Sequence, residues 1–149
     1  MDVVTDEVVI EAPVAVVWRV LTSAPEMERW FASEVRLEAR VGSVGSMAFN
    51  DPSGEARHRT PLTVVEVDEP RRFAYRWEYD EAEAPGPGNS MLVVFELDDL
   101  GESTRVRVTE SGFDRRGWAP DVVEGTVNDH VTGWREVLAR LGALGAGQR

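Results

Sequence analysis

The sequence has no cysteine, which excludes disulfides, thiolate nucleophiles, and zinc or iron–sulfur sites held by cysteine. It has no lysine either, because all 16 of its basic side chains are arginines. That removes the Schiff-base nucleophile, the pyridoxal-phosphate anchor and the phosphate-loop lysine. Only His58 and His130 can supply an imidazole. Long apolar runs are missing as well. The longest, Ala12 to Trp18, contains Pro13 and falls far short of the roughly 20 residues that cross a bilayer, so no membrane span is expected. The opening Met1-Asp2-Val3-Val4-Thr5-Asp6 is acidic where a secretory signal would be basic, which reads as a cytoplasmic protein.

What is present is acidic and globular. A formal charge of −11 repels nucleic-acid phosphates and anionic lipid, so no nucleic-acid partner is expected. The basic pairs Arg57/Arg59, Arg71-Arg72 and Arg115-Arg116 are short, lie near acids and read as solvated faces. At 149 residues with 42% hydrophobic content, the chain fits one domain over 1–149 with a sizeable core.

Val4, Val8 and Ile10 alternate as an opening strand. Pro13 then starts a helix whose Val14, Val17, Trp18 and Leu21 form one stripe. Thr22 to Pro25 breaks it and launches a second short helix that closes on Trp30-Phe31. From 33 to 111 the period becomes two: Val35/Leu37, Val44 with Met47/Phe49, Leu62/Val64, Phe73/Tyr75/Trp77/Tyr79, Val93/Phe95/Leu97 and Val106/Val108. Short turns at 41–43, 51–54, 68–70 and 99–102 join them, so the six strands form an antiparallel meander. Pro61 marks a bulge or an edge. The acidic, Pro- and Gly-rich segment 80–89 reads as a long exposed hairpin tip.

Pro120 and Asp121 open the last helix, which is expected to run to about Leu144, roughly 36 Å. Val123, Val127, His130, Val131, Trp134, Val137, Leu138 and Leu141 share its inner face, and Asp129 points away. Gly125 and Gly133 point to a close neighbour or to flexibility, and Gly142, Gly145 and Gly147 end the helix. The fold class is therefore α+β: a twisted antiparallel sheet of about seven strands with the long C-terminal helix lying across one face, and two short helices after the first strand.

Several features carry two readings. The ladder Phe73, Tyr75, Trp77 and Tyr79 is either core packed on the long helix or the wall of an apolar pocket. His130 is either a buried, hydrogen-bonded histidine or a group projecting into a cavity as donor or acid–base. His58 reads as surface or cavity rim. Gly42-Ser43-Val44-Gly45-Ser46 lacks lysine and precedes a strand, so it is a turn rather than a nucleotide loop. Asp51, Asp98 and Asp99 match no calcium loop, and no metal or cofactor is expected. Glu78, Asp80, Glu81 and Glu83 read as a solvated loop or a contact for a basic protein.

The chain resembles the START-like, or helix-grip, ligand-binding domains, and most closely the branch named after the activator of the heat-shock-protein-90 ATPase. The resemblance rests on Ala12-Pro13, Val17-Trp18, Leu21-Thr22 and Trp30-Phe31; on Pro70-Arg71-Arg72-Phe73 with Tyr75 and Trp77; on Thr104, Val106, Val108, Glu110 and Gly112-Phe113; and on Gly133-Trp134 with Leu138 and Leu141. It spans about 4 to 144. It implies a curved antiparallel sheet gripping the long C-terminal helix, with a cavity between them of a kind that in this superfamily commonly holds lipids, sterols, polyketides or other apolar molecules. It carries over no shared catalytic residues.

The expected function is therefore binding of an apolar or aromatic small molecule in that cavity. Phe49, Tyr75, Trp77 and Phe95 would line it from the sheet, Trp30 or Phe31 its mouth, and Val127, His130 and Trp134 the helix side. The rivals are a co-chaperone-type domain with a protein partner, and a cyclase- or isomerase-like enzyme using the same cavity with His130 or a carboxylate as acid–base.

Overall fold

The computed structural model describes residues 3–50 and 57–147, with Arg57 as backbone only; the turn expected at 51–54 lies outside the described residues. Strand β1 (Val3–Ile10) leads into helices α1 (Val14–Thr22) and α2 (Ala24–Trp30). Six strands follow: β2 (Glu34–Arg36), β3 (Val44–Asn50), β4 (Arg57–Asp68), β5 (Arg72–Trp77), β6 (Met91–Asp99) and β7 (Thr104–Ser111). A 3-10 turn (Phe113–Arg115) precedes the last helix, α3 (Pro120–Ala146). The seven strands form one antiparallel sheet in the order β1-β7-β6-β5-β4-β3-β2, so β1 returns to pair with the last strand. No helix among the described residues is long and apolar enough to cross a membrane.

Alternation sets the inner face. In β5, Phe73, Tyr75 and Trp77 are buried, and their partners Phe95, Val93 and Met91 on β6 are buried with them. Tyr79 does not join this ladder. Strand β5 ends at Trp77, and Glu78 takes a left-handed backbone (φ 59°) that breaks the alternation. The Tyr79 hydroxyl lies instead 2.7 Å from Thr63 Oγ1. Thr63 pairs with Arg76, so this contact belongs to the opposite face. Pro61 lies in an interior strand, where β4 is locally an edge: the ladder to β5 begins one residue later, at Leu62–Trp77. The bulge falls separately, between Val64 and Glu66.

Helix α3 is about 40 Å long and buries Val127, Trp134, Val137, Leu138 and Leu141. It continues through Gly142 and Gly145 rather than stopping there. Both glycines are packing positions against β1: a Cβ at Gly142 would sit 3.2 Å from Val8 Cγ2, and one at Gly145 only 2.6 Å from Ile10 Cγ2. Gly125 and Gly133 have the opposite surroundings, since a Cβ at either would meet nothing within 4 Å, which removes close approach as their reason. The two kinds of glycine should respond with opposite signs. Gly125→Ala is expected to raise stability by up to about 1 kcal/mol through helix propensity. Gly145→Ala should lower it by about 1 kcal/mol through overpacking on Ile10. Urea midpoints at unchanged m-value read both.

Candidate functional site

The inner face is filled by rings over most of its length. Trp30 stacks on Phe31 with centroids 5.1 Å apart, and Phe95 meets Trp134 edge-on at 5.7 Å. Tyr75 meets Trp77 edge-on at 5.6 Å. Trp30 turns its indole N–H to the Val20 carbonyl, 2.9 Å away. At the end of the sheet where β5 stops, packing opens into a groove of about 280 Å³ between α3, β3, β5 and the residues after α2. Phe31, Phe49, Trp77 and Trp134 form its aromatic walls, with Gly133, His130, Val137 and Arg140 along the helix side. These helix residues follow one another at three- and four-residue steps from 130 to 140, a span of about 15 Å along the axis. Gly133 helps keep the opening clear, because a side chain longer than a methyl group there would extend into the groove.

The polar centre beneath the groove is Glu110, which is fully buried (0% exposed). Trp77 Nε1 donates to its Oε2 at 2.7 Å, and Trp134 Nε1 donates to Oε1 at 2.8 Å. His130 Nδ1 lies 2.6 Å from the same Oε1. A buried carboxylate left without partners would be prohibitive, so three N–H groups converging on one is a coherent solution. The arrangement also orients the ring. With Nδ1 committed to Glu110, Nε2 is the nitrogen left for a ligand. The imidazole is held edge-on against Phe113 at 5.3 Å and Trp77 at 6.5 Å.

Burial alone would lower the His130 pKa, but the hydrogen bond to Glu110 and the charges of Glu110, Glu78 and Asp129 outweigh it and hold the ring above its ordinary value. The sign of the linkage follows. A raised folded-state pKa contributes stability that is fully present below the unfolded value near 6.5 and is lost as pH rises through the folded one. We therefore expect the melting temperature to fall as pH rises from the unfolded value through the folded one, and His130→Gln to remove that component. A thermal scan over roughly pH 5 to 9 checks it. An unchanged slope in the variant would contradict the pairing.

Tyr75 is the odd member of the cluster. Its hydroxyl is buried with no hydrogen-bond partner among the described residues. Burial, then the charges of Glu110 and Glu78, push its pKa well above the ordinary value, so it stays protonated.

Of the residues expected at the site, Phe31, Phe49, Trp77, His130 and Trp134 meet at the groove. Trp30, Tyr75, Phe95 and Val127 sit in the packed interior, each no more than 1% exposed. Asp129 does not point away from the site as the helical wheel implies: the groove reaches round the flank of α3 and Asp129 lines it, as does Glu136. Glu78 is a wall of the groove, not only part of the acidic loop, and its carboxylate meets His58 Nε2 at 2.8 Å. His58 itself lies at the exposed rim, stacked on Phe49 at 6.3 Å.

Glu110 is the functional residue that sequence reasoning left out of the site. Its signal was there. It continues the inward phase of Val106 and Val108 on β7, and a charged residue at an inward position demands partners.

A curved antiparallel sheet gripping a long terminal helix, with two short helices after the first strand, defines the helix-grip class. The family model described as "Activator of Hsp90 ATPase homolog 1-like protein" matches residues 11–146, and the chain belongs to that family. Solved structures share the fold. One from Nitrosomonas europaea is 20% identical with a TM-score of 0.80, covering 99% of this chain and 96% of its own. One from Mesorhizobium loti is 22% identical with a TM-score of 0.74, covering 95% of each chain. A third, a putative protein in the dynemicin biosynthetic locus, is 23% identical with a TM-score of 0.74; it covers 99% of this chain, which spans only 49% of that protein. No curated protein matches the chain.

Proposed function

We propose that the protein binds a small, largely apolar aromatic molecule in the groove between α3 and the sheet, with His130 Nε2 as its polar anchor. The observation that carries this reading is the combination of four ring walls, the missing side chain at Gly133 and an imidazole fixed through Nδ1 by buried Glu110. The size narrows the ligand. A groove of about 280 Å³ lies just below the roughly 300–1,000 Å³ typical of ligand pockets, so one or two rings suit it better than a whole sterol or a long acyl chain. Burial of those rings supplies most of the affinity, at about 25 cal/mol per Å².

The co-chaperone-type reading finds less support. The large apolar side chains exposed among the described residues are few, five valines and one leucine besides Val3, and they are spread over β1, the turn before β3, β3, β4, the β6–β7 turn and α3. A thermal-shift panel of one- and two-ring aromatics, flavonoids, fatty acids and sterols tests the proposal. A binder at 100 times its Kd adds about 2.7 kcal/mol, a rise of roughly 5–10 °C for a domain of this size. His130→Ala is expected to weaken that binder about tenfold while remaining folded. Silence across the panel would overturn the reading, and undiminished affinity in a folded variant would remove His130 as the anchor.

A further inference from the structure

On the opposite face of the sheet, Arg76, Leu92, Ser111 and Val3 stand in one cross-strand row over β5, β6, β7 and β1. The row floors a second hollow of about 350 Å³, walled by Pro87 of the β5–β6 connection and by Asp114 and Arg115 of the 3-10 turn. Two guanidinium groups therefore face one cavity. Arg76 is half-buried and spends one N–H on Ser90 Oγ, 3.3 Å away. Arg115 is exposed and makes no side-chain bond among the described residues.

The contrast with Arg72 is direct. Four residues earlier on the same strand face, Arg72 bridges Glu66 at 2.8 Å and Glu96 at 3.1 Å. No carboxylate among the described residues pairs with Arg76 or Arg115, although Asp114 shares the wall. Burial, then the neighbouring Arg115 charge, pull the Arg76 pKa below its ordinary value, as expected for a cation held beside another without a counter-charge. The rest of the lining joins apolar Val3, Leu92 and Pro87 to Gly112 and the hydroxyl of Ser111.

We propose that this hollow binds an oxyanion, phosphate or carboxylate, carried on a small apolar body. The two arginines clamp the anion and Ser111 donates to it, while Leu92, Pro87 and Val3 receive the apolar part. Guanidinium groups suit such recognition because their planar N–H forks match the oxyanion edge. The chain's overall charge of −11 repels anions at long range, so affinity must come from these local contacts. The hollow lies on the face of the sheet opposite the aromatic groove and shares no lining residue with it.

The test is a titration of the full chain with inorganic phosphate, sodium benzoate and phenyl phosphate at fixed ionic strength, following the backbone amides of Leu92, Ser111, Asp114 and Arg115 by NMR. Saturable shifts at these amides are expected with roughly millimolar or tighter Kd, tighter for benzoate and phenyl phosphate than for inorganic phosphate. Arg115→Gln, which alters an exposed side chain, should weaken binding about tenfold, and Asp114→Asn should strengthen it several-fold by removing the one opposing charge. No shifts up to about 10 mM, or equal affinity in Arg115→Gln, would overturn the clamp. Equal affinity for phosphate and phenyl phosphate would overturn the apolar body.

Discussion

Glu110→Ala is expected to cost about 3–5 kcal/mol of stability, a large share of the roughly 5–15 kcal/mol that holds a domain together. The variant leaves the Trp77 and Trp134 indole N–H groups and His130 Nδ1 without the acceptor they converge on. Glu110→Gln is the sharper test, because it keeps the volume. An amide offers one acceptor oxygen and one donor NH₂. Whichever way it turns, the NH₂ meets an indole N–H: that of Trp77 in one orientation, that of Trp134 in the other. One buried donor is then unpaired, at about 1–3 kcal/mol. His130 should report the same change. With the hydrogen bond and charge of Glu110 gone, only the charges of Glu78 and Asp129 still oppose burial, so its pKa should fall below the wild-type value. Urea melts and a histidine NMR titration measure both. A Gln variant as stable as wild type would show that the carboxylate does not organise this centre.

The second large effect concerns binding. Because a Cβ at Gly133 would meet nothing within 4 Å, alanine fits there and helix propensity favours it by up to about 1 kcal/mol. A leucine at the same position must extend into the groove between Phe31, Trp77 and His130. Gly133→Leu is therefore expected to fold normally and to lose roughly 100-fold in affinity for a groove ligand, about 2.7 kcal/mol. Gly133→Ala should keep most of its affinity. Equal binding by the alanine and leucine variants would place the ligand somewhere else.

The architecture was legible because period two and period 3.6 are written plainly in β5 and α3. Three local departures were not. A left-handed residue at Glu78 cannot be read from composition, and it removes Tyr79 from a ladder whose alternation otherwise includes it. The late glycines of α3 look like helix stops in sequence, but Gly142 and Gly145 are explained only by Val8 and Ile10 of β1, more than 130 residues away in the chain. Asp129 falls on the side of the wheel turned away from the core, which says nothing about a groove that wraps round the helix. The site divides the same way. Period and ring chemistry mark the aromatic walls, yet they cannot separate Tyr75 and Phe95, buried inside the packing, from Trp77 and Trp134, which close the same packing at an open end. Glu110 belongs with three donors on β5 and α3, a convergence that only the folded sheet brings about.

The five tryptophans provide the most direct test of the groove as a binding site, since each gives its own indole N–H signal in a ¹⁵N-correlated spectrum. Trp77 and Trp134 share Glu110 beneath the groove, whereas Trp18 bonds Glu69 and Trp30 bonds the Val20 carbonyl away from it. Titrating the strongest aromatic binder from the thermal-shift panel should move the Trp77 and Trp134 signals in a saturable way and leave that of Trp18 in place. Shifts confined to Trp18 or Trp118, with Trp77 and Trp134 unmoved at saturation, would contradict the account.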